Sequence, residues 1–142
     1  MIGRRLVAAM VGGVLGTWFR WGVVTALPVT SGSFPTATFI VNMVGAVCIG
    51  VVVAALVEGR RSRPMAASFV GTGILGGLTT FSAFSVETVE LVRVGHDLVA
   101  ALYLVASVTG GVALAWTGLL LTRRRLDPTV FDRWGTATGD GS

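Results

Sequence analysis

Apolar residues run along this chain in four long stretches separated by short polar connectors. The stretches fall at Leu6–Leu27, Thr36–Val57, Ala66–Val92 and Leu98–Thr122. Each is close to the ~20 residues that carry a helix across a hydrocarbon core. The connectors read PVTSGSFP, EGRRSRP and RVGHD. Pro28, Pro35 and Pro64 sit at their edges, where a missing amide hydrogen costs little. The pattern predicts an all-α membrane protein of four transmembrane helices over residues 1–125. It predicts a polar, disordered cytoplasmic tail over residues 126–142, where the chain turns Gly-rich. Arg4 and Arg5 ahead of an apolar run superficially resemble a signal peptide. Arg20 interrupts that run and no clean small-x-small site follows, so the first stretch is expected to remain a transmembrane helix.

Composition supports the membrane reading, with 53% of the 142 residues hydrophobic and 13% charged. The net charge of +4 comes from arginines clustered between apolar runs rather than on one soluble face, so no nucleic-acid partner is expected. Cys48 is the only cysteine, and His96 lies in a connector, which leaves no Cys/His metal site or buried His relay. With four spans, both termini and the second connector share one side. That side holds Arg4, Arg5, Arg60, Arg61, Arg63, Arg123, Arg124 and Arg125. The other holds Arg93, with Arg20 if it reaches that interface. The imbalance predicts one fixed orientation with both termini cytoplasmic.

Polar groups in a span are costly unless they face protein or water. Gly12, Gly13 and Gly16 read as a packing face on the first helix. For Arg20 two readings stand: it snorkels to the interface, or it lends positive potential to an aqueous vestibule. Thr38 and Asn42 are four apart, as are Tyr103 and Ser107, so each pair shares a helical face. These residues bond neighbouring helices or line a hydrated path. The third stretch is the longest, ~40 Å as one helix against ~30 Å of hydrocarbon. Near its centre lies GGLTTFSAFS, Gly76 to Ser85, where glycines and threonines weaken the helix. A break there frees carbonyls for protein, water or a small hard cation such as Na⁺. Phe81 and Phe84 project to one side beyond it, and their electropositive ring edges suit a weakly held anion. Glu87, two turns on, reads as a packing or vestibule group.

The stretch GGLTTFSAFSVE resembles the small bacterial fluoride channels, the Fluc or CrcB family. GGVLGTWFRW and FPTATFIVNMVGAVCIG are similar to that family's first and second helices, and the likeness covers all but the tail. It implies an antiparallel dimer with two pores and passive fluoride efflux across the bacterial plasma membrane. It further implies a structural Na⁺ on the carbonyls of Gly76 and Thr79 from both subunits. Phe81, Phe84 and Asn42 would contact fluoride, with Thr38, Tyr103 and Ser107 in a polar track beside them. Gly111 stands where that track often continues with a hydroxyl. Thr80 and Ser82 match hydroxyl positions of the motif, and Arg20 and Glu87 are candidate supporting residues. Because the arginines are unbalanced, the second subunit is expected to be an oppositely oriented homologue rather than an identical chain. No enzymatic constellation is visible. The alternatives are a four-helix multidrug-type exporter, disfavoured by Arg20 where an early carboxylate is expected, and a non-conducting membrane assembly subunit.

Overall fold

The structure, a computed structural model, describes residues 2–58 and 63–126. Within them every regular element is helical, and four helical stretches are long and apolar enough to cross a membrane. Helix α1 is Ile2–Ala26 and α2 is Thr36–Val57. The third span, Pro64–Arg93, divides into α3 (residues 64–78) and α4 (Phe81–Arg93). Helix α5 is Asp97–Leu126. The second span matches the expectation at both ends. The other three run beyond their apolar stretches, because arginines are good helix formers and helices continue into the headgroup zone. Residues 127–142, which hold nearly all of the expected tail, lie outside the described residues, as do Arg60 and Arg61.

Glycines set the packing. A Cβ on Gly12 or Gly16 of α1 would overlap the Phe69 or Ile74 carbonyl of α3, and one on Gly77 would overlap the Gly13 carbonyl. Backbones of α1 and α3 therefore touch directly, as small residues permit where lipid supplies no hydrophobic drive between helices. Helices α2 and α5 meet the same way, with Gly50 against the Ala115 carbonyl and Gly118 against that of Val47. The packing expected of Gly12 and Gly16 is therefore present, whereas Gly13 has open space on its own side. Between the helix pairs lie two small cores, one of Val41, Leu75 and Leu78, the other of Leu91, Ala100 and Tyr103. Most remaining apolar side chains, including Trp18 and Trp21, point outward.

Two features depart from the sequence reading. The break is narrower than Gly76–Thr80: Gly76–Leu78 stay helical, and only Thr79 and Thr80 are extended. Contact of Gly77 with α1 holds that last turn in place. In addition, Val53–Val57 and Ala67–Leu75 are π-helical, with hydrogen bonds wider by one residue than in an α-helix. At the end where α2 and α5 finish, Arg123 donates two hydrogen bonds to Glu58, at 2.7 and 2.8 Å.

Candidate functional site

The site grows from the two extended residues. In a continuous helix the Thr80 amide would donate to the Gly76 carbonyl, and the Ala83 amide to that of Thr79. Here the Thr80 amide donates instead to Asn42 Oδ1 at 2.9 Å, and the Ala83 amide to Thr80 Oγ1 at 3.2 Å. Both carbonyls lose their helical donors. Asn42 closes the clamp from α2, its Nδ2 donating to the Thr80 carbonyl at 3.1 Å. Thr80 is an N-cap of a preferred type and starts α4 where the chain turns helical again. The Thr79 hydroxyl folds back onto the Leu75 carbonyl at 2.9 Å. Its methyl occupies space that a side chain at Gly45 would fill.

The α3 side of the break is held from α1. Arg20 Nε donates to the Gly77 carbonyl at 3.2 Å, and Thr17 Oγ1 makes a longer contact of 3.5 Å. Arg20 is thus turned inward onto the negative end of a helix, which favours a cation. Neither sequence reading of Arg20 described this contact. The signal available was an arginine at a depth from which a long side chain can reach the middle of the next glycine-packed helix.

Beside the break runs a groove of about 360 Å³, open on one side. Asn42, Thr79, Thr80, Phe81, Phe84, Ser107 and Gly111 line it, with Met43 and aliphatic residues of α2 and α5. Phe81 is 80% exposed, while Phe84 is half-buried, with ring centroids 5.8 Å apart. The Ser107 hydroxyl is buried and lacks a hydrogen-bond partner among the described residues. Such a group is uncommon in a native interior. Gly111 leaves bare backbone, and the Met43 methyl lies 3.7 Å from where its Cβ would stand. Met43 was not singled out from sequence, and a methionine in an apolar run carries no signal of this role.

The expected polar track is divided. Thr38 and Tyr103 are buried and do not line the groove. Their hydroxyls donate to Glu87, Thr38 to Oε1 at 2.6 Å and Tyr103 to Oε2 at 2.7 Å. The Phe84 ring packs on Tyr103 at 5.2 Å, so it stands between this triad and the groove. Glu87 also lines a second cavity of about 210 Å³ under the first connector, with Glu90 and Ser33. Ser82 is exposed and its hydroxyl lies 3.3 Å from that of Thr80. Gly76 is exposed with nothing against its Cα on the open side, so another backbone can approach it closely. No group of three or more potential acidic, His or Cys metal ligands occurs among the described residues. Any cation at the break would rest on carbonyl oxygen.

Comparison with known proteins agrees with this architecture. Residues 7–119 match the family described as CrcB-like protein, Camphor Resistance (CrcB). The chain is 43% identical over 112 residues to Fluoride-specific ion channel FluC 2 of Rhodococcus jostii, covering 78% of this chain and 92% of that protein. It is 38% identical over 117 residues to Fluoride-specific ion channel FluC 2 of Bacillus subtilis, covering 82% of this chain and 86% of that one. A further relative, Fluoride-specific ion channel FluC of Bordetella pertussis, is 38% identical over 117 residues, covering 82% and 90%. With matches spanning all four helices and the broken third span, the chain belongs to the CrcB-like family.

Proposed function

We propose that the chain is a subunit of a fluoride-selective channel that lets fluoride leave the cytoplasm passively. The observation that carries the reading is the Ser107 hydroxyl, buried without a partner among the described residues, on a residue that lines the groove with Asn42 and two phenylalanine rings. A small anion supplies the missing acceptor. Asn42 has a second amide hydrogen left after binding Thr80, and ring edges add weak electropositive contacts. None of the groove-lining residues carries a fixed charge. Binding can therefore replace part of the hydration shell without trapping the ion. The start of α4, at Phe81 and Ser82, adds the positive end of a helix. HF that enters from an acidic exterior ionises in a more neutral cytoplasm. An inside-negative potential then drives the anion outward, at about 2.3 kcal/mol per 100 mV.

The Gly76 and Thr79 carbonyls fit a small hard cation, since their amide donors are diverted and carbonyl oxygen suits such ions. In this reading Na⁺ bridges these carbonyls and those of a second, antiparallel subunit that covers the open groove. Tyr103, Thr38 and Glu87 continue the route beyond Phe84, their hydrogen bonds exchanging as the ion passes. Arg4, Arg5, Arg63 and Arg123–Arg125 gather at the end where both described termini lie, which supports insertion with both termini in the cytoplasm. The second subunit is then an oppositely oriented homologue in the bacterial plasma membrane. Proteoliposomes with and without that homologue, read by a fluoride electrode, test the function. Ser107→Ala should slow fluoride efflux at least about tenfold without lowering thermal stability, because it removes an unsatisfied hydroxyl. Unchanged efflux would count against the pathway. Equal labelling of a C-terminal tag from both sides of the membrane would count against the heterodimer.

A further inference from the structure

A separate cavity of about 440 Å³ opens between the start of α1, the last turns of α2 and the first turns of α3. Its walls are mostly apolar, from Val53, Leu56 and Val57 on one side to Ala67 and Gly71 on the other, and Arg5 stands among its lining residues. Both π-helical segments of the described chain, Val53–Val57 and Ala67–Leu75, face this one cavity. A π-helical turn widens the backbone, is rarely retained in helices, and concentrates at functional sites. Together the two segments supply most of the residues that line it. The adjoining surface hollow carries Arg4 beside Met65. Arg4, Arg5 and Arg63 are exposed, and none of them has a carboxylate partner among the described residues.

From this we infer that the cavity is a docking site for an anionic phospholipid of the leaflet on the Arg4/Arg5 side, one acyl chain lying in the groove and the phosphate resting on Arg5. Charge complementarity selects that occupant. The Arg5 guanidinium beside an apolar furrow, without a carboxylate partner among the described residues, matches a molecule with an anionic head and a hydrocarbon tail. From Pro64 to Thr72 the furrow runs roughly 10 Å along α3, enough for several methylenes. A second copy of this chain is a poorer match, because every ionisable residue lining the cavity or the adjoining hollow is an arginine, and a like-charged face would repel another.

Native mass spectrometry of the full chain in neutral detergent, with phosphatidylglycerol or phosphatidylcholine added, reads both bound lipid and oligomeric state. The expected result is retained phosphatidylglycerol and little phosphatidylcholine. Arg5→Gln should weaken phosphatidylglycerol retention about fivefold, as loss of one juxtamembrane cation implies. Arg93→Gln, at the opposite end, should leave retention unchanged. Ser68→Trp, which fills the groove, should abolish it and leave the oligomeric state as in the wild-type chain, and inorganic phosphate should not compete. Equal retention of both lipids, or an Arg5→Gln value equal to wild type, would overturn the site. So would an equal loss with Arg93→Gln, or full competition by inorganic phosphate. A changed oligomeric state in Ser68→Trp with phosphatidylglycerol still bound would give the groove to a second subunit. None of these readouts depends on fluoride transport.

Discussion

Asn42 is the residue on which the geometry of the break most depends, and Asn42→Ala is its sharpest test. The wild-type side chain makes two hydrogen bonds to one residue, accepting from the Thr80 amide at 2.9 Å and donating to its carbonyl at 3.1 Å. Each is worth about 1 kcal/mol net, and a buried group left without a partner costs about 1–3 kcal/mol. Asn42 and Thr80 are half-buried and line an open groove, so water can reach the freed groups. That places the cost at the lower end, about 2 kcal/mol for the pair. A change of this size moves an equilibrium roughly thirtyfold. It would let Thr80 drift and α4 lose the start that positions Phe81 and Phe84. Thermal unfolding of the purified protein and fluoride efflux from proteoliposomes should fall together. Asn42→Ala with wild-type stability and efflux within twofold of wild type would refute the clamp.

Three further outcomes follow from the packing and the charges. Gly16→Ala forces a methyl into the Ile74 carbonyl and should cost about 1–3 kcal/mol in thermal unfolding, while Gly13→Ala, which meets open space, should leave the fold as stable or more so. Gly111→Ser has room beside Met43 and would add a hydroxyl to the groove. It should raise fluoride efflux about two- to fivefold, the worth of one weak hydrogen bond, and a fall would argue against a polar track at that position. The Arg123 hydrogen bonds hold the Glu58 carboxyl below its ordinary value of 4.5. The pair therefore contributes stability in full above that value and loses it as pH falls through the lowered one. Exposure limits it to about 0.2–1 kcal/mol. Glu58→Gln should be slightly less stable than wild type near neutrality, and indistinguishable once the carboxyl is protonated.

Span number, connector positions and the weak point of the third helix were legible because each has a local cause. Apolar length sets a span, proline marks an edge, and paired glycines followed by threonines loosen a helix. The groove was partly legible: Asn42, Phe81, Phe84 and Ser107 line it together, a grouping that the family resemblance implied and that spacing alone left open. The division of the polar stripe was not. Thr38 and Tyr103 share helical faces with Asn42 and Ser107, and only the placement of α4 carries Glu87 between their hydroxyls. The inward turn of Arg20 depends on the closeness of α1 and α3, which glycine spacing suggests without fixing which carbonyl it meets. The π-helical segments had no signature in the sequence, since their hydrogen bonds shift by a single residue under tertiary packing.

The manner in which the broken span is held has a mechanical consequence. Its two halves are anchored to different neighbours, α3 to α1 through Gly77 and Arg20, and α4 to α2 through Asn42. The discontinuity therefore works as a fixed joint rather than a swivel. In the proposed channel, gating would then fall to side chains along the groove rather than to the backbone of the break. Flux should then respond to voltage and concentration without a lag.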